Sequence, residues 1–390
     1  MHKLFWETKY LIVMIKLNLH ICPMKKKWVH FYIGLTFLAF LCGFSLDTAA
    51  QNQKGPSGKE YRIMFYNTEN LFDPFHDTLK NDHEFIAGGL RGWTWSKFLK
   101  KIKNISKVII AAGEWEPPEI VAFSEVENRF VIMQLLKRTP LERFNYKIIH
   151  EESPDERGID VAMIFRSDKF KYLYHKSIVV QLLDSIKTRS ILYVKGQFLD
   201  PETGLSSDTL HLFINHWPSR TGGPLQTMHR RIQAAQTLKF YVDSLVKLSP
   251  DVKIVLTGDF NDEPFDESLA THLKAETDIT KPGANLYNLM IPYLDKYDSG
   301  TNKYRNQWGL IDQFIVSKGF ILNDRASFIA DNSNTGSELT IVSAQILRFP
   351  FLLIVDEKYS GSVPFRTFNG MNYIGGFSDH LPILLTLRLR

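Results

Sequence analysis

The sequence predicts an α/β fold in which sheets pack together and helices lie outside them. Three observations predict it. Apolar runs of strand length outnumber helical stretches, and the two kinds are mixed from one end of the chain to the other. No change of composition marks a second domain.

Taken in order, residues 61–67 (YRIMFYN) read as a strand. Residues 97–113 place Phe98, Ile102, Ile105 and Ile109 at helical spacing, 119–123 form a second buried strand, and 129–138 read as a helix. Strand-like runs follow at 146–150, 159–166, 171–180, 191–199 and 210–215. Residues 228–248 form the longest helix, with Met228, Ile232, Ala235, Leu238, Val242 and Leu245 on one stripe. Strands at 253–257, 311–316 and 382–389 complete the set. The run 346–355 (ILRFPFLLIV) reads as a buried strand interrupted by Pro350, with a lipid-contacting patch as the alternative. No repeat of fixed period and no low-complexity block is present.

The first 50 residues differ from the rest. From Met24, three lysines precede an apolar run of roughly fifteen residues and then small residues, the order of a cleaved export signal. Cleavage is expected after Ala50, and translation from Met24, because residues 1–23 carry no signal of their own. The protein is therefore expected in a periplasm or outside the cell. A membrane anchor is disfavoured because the run is shorter than the ~20 residues a span needs. Lipidation at Cys42 is disfavoured because Leu41 stands where a small residue is expected. Residues 51–60 are polar with Gly and Pro, and read as a flexible lead-in to a domain over 61–390.

Without its first 50 residues the chain keeps 340, ample for a core of its own. Both cysteines, Cys22 and Cys42, are lost with the leader. That excludes a disulfide, a thiol nucleophile and a cysteine-ligated metal. The leader holds six lysines against Glu7 and Asp47, so the formal charge falls from +5 to +1 when it is removed. A nearly neutral chain gives no global case for nucleic-acid binding, and any affinity for phosphate must be local.

Four polar motifs share one position, the C-terminal end of an apolar strand: Asn67-Thr68-Glu69-Asn70, Ser124-Glu125-Val126-Glu127-Asn128, Asn215-His216, and Gly258-Asp259-Phe260-Asn261-Asp262. Strand ends on one rim are where α/β proteins assemble sites. With Asp379-His380 before the last strand, these segments offer oxygen ligands, amides and two imidazoles. Oxygen donors select hard cations: Mg²⁺ first, with Mn²⁺ or Ca²⁺ as alternatives. A hard cation with few protein ligands keeps waters and takes phosphate oxygens, which points to attack on a phosphoester.

The motif set resembles the endonuclease/exonuclease/phosphatase superfamily, with its deoxyribonuclease I-like fold, over nearly all of 61–390. The resemblance implies a four-layer α/β sandwich, two mixed sheets packed face to face with helices outside, and divalent-metal phosphoester hydrolysis. It implies that Glu125 in FSEVEN binds the metal, with Asn67 and Glu69 of FYNTENLFD near it. Asp259 and Asn261 in GDFND match the residues that orient the nucleophile and hold the phosphate. Asp312 in LIDQFIVS matches a structural or His-orienting acid, and Asp379-His380 in FSDHLPI the closing dyad. His216 in FINHWPSR resembles the second histidine of the nuclease and phosphodiesterase branches. His380 needs a partner carboxylate to fix its tautomer, and either Asp379 or Asp312 can supply it.

Other residues keep two readings. Arg157, before a strand, either grips a substrate phosphate or belongs to a turn. Arg220, in SRTGG, sits in an anion-binding loop or a merely flexible one. Arg366 lines the cleft or only holds the loop before the last strand. Asn70 and Asn128 read as caps and Glu127 as a solvated rim residue. The expected activity is that of a nuclease-like phosphodiesterase, monomeric, acting on a phosphoester, with nucleic acid among the candidates, and with no obligate protein partner. A phosphatase or a phosphodiesterase of phosphoinositide or sphingomyelin head groups is the first alternative, and a silent binding module of the same fold the second.

Overall fold

The structure, a computed structural model, describes residues 58–389 apart from 115, 201, 295–298 and 322–337. The leader 1–50 and most of the lead-in lie outside the described residues. The lead-in's end is a correction: Lys59 and Glu60 are already in the first strand, paired with Leu389 and Arg388.

Thirteen strands build two mixed sheets. They are β1 (Lys59–Leu71), β2 (Ile120–Val126), β3 (Tyr146–His150), β4 (Asp160–Arg166), β5 (Phe170–Ile178), β6 (Ile191–Phe198), β7 (Leu210–His216), β8 (Lys253–Asp259), β9 (Ala275–Glu276), β10 (Leu286–Asn288), β11 (Asp312–Ser317), β12 (Leu339–Ile346) and β13 (Ile383–Leu389). The first sheet runs β12-β13-β1-β2-β4-β3 and the second β5-β6-β7-β8-β11-β10-β9. Helices α1 (Trp95–Ala112), α2 (Arg129–Lys137) and α3 (Pro224–Leu248) complete the fold.

Strand alternation sorts the layers. Tyr61, Ile63 and Phe65 turn to the second sheet, where the Tyr61 ring stacks on Phe198 at 4.6 Å and its hydroxyl donates to the Leu199 carbonyl. From the second sheet Leu212, Ile214, Val255, Phe314 and Val316 join that core, together with the helix-side residues of the first sheet. The alternate residues Phe213, Ile254, Leu256 and Ile315 pack instead with Ala234, Ala235, Leu238 and Val242 of α3. This is the sheet-on-sheet arrangement with helices outside that the sequence predicts.

Two features differ from the expected elements. The helix predicted at 228–248 begins earlier, at Pro224, and its buried face opens with Thr227 and Arg231 rather than Met228 and Ile232. Arg231 is drawn inward by Asp262, whose Oδ1 lies 2.7 Å from its Nε. The run 346–355 is not one buried strand. Pro350 lacks an N–H and opens a 3₁₀ turn over Pro350–Leu352, and the run then forms one edge of a small hairpin with Ile354 and Val355 exposed.

Parallel strands need a crossover, and two of the parallel pairs have a helix in it: β1 and β2 around α1, β7 and β8 around α3. Parallel neighbours finish on the same rim, so Asn67 comes into register with Ser124 and His216 with Asp259. Antiparallel β11 starts where β8 ends, which sets Asp312 opposite Asp259.

Candidate active site

The inner-face residues at these ends meet between the sheets. The Asn67 Nδ2 donates to Asp259 Oδ2 at 3.0 Å, across the sheet interface, and to Glu125 Oε1 at 3.2 Å. The Nε2 of His216 lies 3.7 Å from Asp259 Oδ2 and 3.9 Å from Glu125 Oε1. The Nε2 of His380 approaches Asp259 Oδ2 from another side, at 3.9 Å.

Glu125 reaches this group through a bulge. Ser124 is in register with Asn67, so simple alternation would send Glu125 to the helix side. The register instead shifts between Ser124 and Val126, and Glu125 takes a left-handed φ of 60°. Its Oε2 accepts from the Asn70 amide at 2.8 Å. Asn70 therefore supplies a donor to the site and is not a helix cap. Glu69, Asn70 and Asn261 are left-handed too, with φ of 49°, 58° and 52°. Such backbone costs of order 1–3 kcal/mol per residue and persists where surrounding bonds over-determine it.

The partner of His380 is Asp312, whose Oδ2 lies 2.7 Å from the ring Nδ1. Asp379 is half-buried, and its backbone carbonyl accepts from Asn302 at 3.0 Å. The backbone N–H of His380 donates to Ser378 Oγ, which in turn donates to the Asn67 carbonyl. The dyad segment is thus sewn to β1.

Burial pushes the Asp259 carboxyl up to about 7, with Asp312 and Glu125 adding to the rise and His380 opposing it. Burial works to lower His380, but the charge and hydrogen bond of Asp312 outweigh it and hold the ring well above its ordinary value. His216 moves the other way: burial, then Arg189 and Arg157, depress it well below the ordinary histidine value. The two imidazoles are driven apart in protonation by their surroundings.

Not every residue singled out in the sequence joins the group. Glu69, expected beside the metal, is an anchor instead. Its oxygens accept from the amides of Thr367 (2.6 Å) and Phe368 (3.2 Å), and the buried Lys101 ammonium lies 3.8 Å away. The ammonium also donates to Thr367 Oγ1 and to the Phe377 carbonyl, which ties the 367–377 loop to α1. Arg220 is taken up by Asp262, Asp266 and the Asn261 carbonyl, so it braces the 259–262 segment. Arg157 keeps a half-exposed side chain, with Nε 3.8 Å from Asp155. Arg366 lines a cavity of about 770 Å³ together with Tyr304, Arg305 and Lys358. Asn261 donates from its side chain to the Trp217 carbonyl at 3.1 Å. Asn128 caps α2 through Val131, as expected. Glu127 is not solvated: it is buried, and burial with nearby Asp73 pushes its carboxyl up to about 9.

Two contributors carry no sequence signal. Lys101 sits in a helix rich in exposed lysines, and only its burial marks it out. Arg189 is buried beside His216, donating to the Trp217 carbonyl at 2.5 Å and pairing with Asp155 at 3.3 Å. It lies in an irregular stretch with no motif around it.

The donor set fits a hard divalent cation. Glu125 presents a carboxylate at the rim, with its side chain 17% exposed, whereas Asn67, expected among the ligands, turns its amide nitrogen to Glu125 and Asp259 while its oxygen accepts from the Glu69 amide at 2.9 Å. Two buried atoms beside them, His216 Nδ1 and Asp312 Oδ1, have no hydrogen-bond partner among the described residues.

The model of the endonuclease/exonuclease/phosphatase family matches residues 62–389, and the chain belongs to that family. Its members are phosphoester hydrolases that generally use divalent metals. Protein angel of Drosophila melanogaster is 21% identical over 288 residues, covering 70% of this chain and 73% of that protein. An endonuclease/exonuclease/phosphatase family protein from Bacteroides thetaiotaomicron is 15% identical, with 86% and 99% of the two chains covered and a TM-score of 0.49. The human Nocturnin catalytic domain is 18% identical, with 85% and 95% covered and a TM-score of 0.48.

Proposed function

We propose that this chain is an exported, metal-dependent phosphodiesterase of the nuclease-like kind. The observation that carries the reading is the pair of imidazoles, His380 and His216, set on Asp259 Oδ2 at 3.9 and 3.7 Å beside Glu125. One is held toward the protonated state and the other toward the neutral one. A phosphodiester has two bridging oxygens and a bound water to be served, and unlike imidazoles suit that division.

Glu125, its carboxylate steadied by the Asn67 amide nitrogen, would hold the cation, Mg²⁺ in this reading, with Mn²⁺ or Ca²⁺ as substitutes. When bound, the cation polarises the phosphoryl group and neutralises its charge. Asp259 orients the attacking water, and Asn261 steadies the phosphate. His380, locked by Asp312, donates its Nε2 proton toward the negative charge that develops on the phosphoryl oxygens. His216 completes the far wall, and Asp379 adds negative potential near His380. Arg157 is the candidate for the flanking phosphate, and Arg366 for a more distant part of the substrate. The enzyme acts as a monomer.

The test is a panel assayed with purified protein in Mg²⁺ and in Mn²⁺: plasmid DNA, RNA, bis-p-nitrophenyl phosphate, a phosphomonoester, and phosphoinositide and sphingomyelin vesicles. Turnover of the nucleic acids and the diester, with little on the monoester, is expected. Preference for the monoester or for a lipid head group would replace this reading with the phosphatase or lipid one. Export rests on the order of charge, apolar run and small residues in 1–50. N-terminal sequencing of protein from the native host is expected to begin near Gln51, and intact residues 25–50 in a membrane fraction would favour an anchor.

A further inference from the structure

We propose a second metal site, of the zinc class, formed by His76, Asp82 and His83 on the loop after β1. Each of the three residues offers one ligand atom, and the three atoms lie within 4.8 Å of one another. The donor set differs in kind from the oxygen-rich centre: two imidazoles and one carboxylate. Nitrogen-bearing sets of this composition favour zinc and the late transition metals over Mg²⁺.

The carboxylate is already fixed. Asp82 is 1% exposed, its Oδ2 accepts from the Asp77 amide at 2.7 Å, and its Oδ1 lies 2.5 Å from the Nδ1 of His76. The imidazoles are the adjustable part. Both residues are exposed, and their rings face each other at 4.6 Å with a 34° tilt. A tetrahedral ion with bonds of ~2.0–2.2 Å sets its ligands roughly 3.3 Å apart. Rotation of the two solvent-exposed imidazoles reaches that spacing: the His76–Asp82 pair opens from 2.5 Å and the wider pairs draw in from under 4.8 Å. Three protein ligands leave the fourth position to water, which enters from the cavity of about 460 Å³ that His83 borders with Ser153 and Lys187.

The plain reading of this cluster is a His76–Asp82 hydrogen bond that shapes the loop. It accounts for one imidazole. The second, His83, has no part in that bond, yet its ring is held over the first at 4.6 Å. A shared cation makes the pair favourable.

The ion clips residue 76 to the turn at 82–83. That loop is pinned to the next one, since the Asn81 amide donates to the Glu156 carbonyl at 2.8 Å and Lys80 donates to the carbonyls of Ser153 and Asp155. The site is therefore a structural clasp at the junction of these two loops, and it stands whether or not the proposed substrate is right.

The test uses the full chain, zinc ion as the probe, and a large excess of Mg²⁺ to fill the oxygen-rich centre. Isothermal titration is expected to give one zinc per chain, and Co²⁺ in its place a visible absorption band. His83→Ala removes an exposed ligand and leaves the His76–Asp82 bond in place, so folding is unaffected. It is expected to weaken zinc by at least about tenfold and to abolish the Co²⁺ band, with hydrolysis in Mg²⁺ unchanged. A wild-type chain that takes up no zinc under these conditions overturns the proposal. So does a His83→Ala or His76→Ala/His83→Ala protein that binds zinc as tightly as the wild type.

Discussion

His380→Ala is expected to lower kcat by ~10²–10⁴-fold, the usual contribution of a positioned proton-transfer group. The ring is buried, fixed by Asp312 at Nδ1, and presents Nε2 toward Asp259. Every feature that holds it acts on orientation rather than on the cation. Affinity for the metal is therefore expected to stay near the wild-type value, and added Mg²⁺ should not restore turnover. A variant that keeps more than about a third of wild-type kcat at saturating substrate and metal, or one that metal rescues, contradicts the role given to His380. Because His380 adjoins β13, circular dichroism of the variant is the control for packing.

Glu125→Gln has a different signature. The substitution removes the charge from the residue assigned to the cation while preserving shape and one oxygen. The Asn70 amide and the Asn67 side chain can still be met in part. Affinity for Mg²⁺ is expected to fall by at least about tenfold, with activity recovering in part as Mg²⁺ is raised. Loss of activity that no concentration of Mg²⁺ or Mn²⁺ relieves would show that Glu125 acts in the chemical step. Titrating both variants with metal side by side separates the two roles, since only one curve should shift.

Much of this arrangement is legible in the sequence because of how strands present their ends. A buried strand is an apolar run, so a polar cluster immediately after it stands out: FYN-TEN, AFS-EVEN, FIN-H, LTG-DFND. Residues 146–150 coincide with β3 and the other predicted strands of the two main layers shift by only a few residues, but β12 and the short β9 and β10 have no counterpart among them. What stayed hidden depends on partners far away in the chain. Which acid meets His380 is decided by the register of β11 on β8, and no local feature of SDH reports that register. The left-handed bulge that brings Glu125 to the site is invisible in FSEVEN, where plain alternation points it the other way. Glu69 reads as a metal neighbour because FYNTENLFD resembles the family's first motif, and only the fold reveals that the 367 loop and Lys101 claim its carboxylate. Glu127 looks like a rim residue for the same reason, its burial being set by the loop at Asp73.

The central claim is that phosphoester hydrolysis at the Asn67–Glu125–His216–Asp259–His380 centre depends on a divalent cation. The most direct test is hydrolysis of bis-p-nitrophenyl phosphate by the wild-type protein, first after exhaustive chelation with EDTA and removal of the chelator, and then during titration with Mg²⁺. The account predicts that activity disappears and returns with the added ion along a saturating curve. Full activity in the chelated, metal-free protein would contradict it.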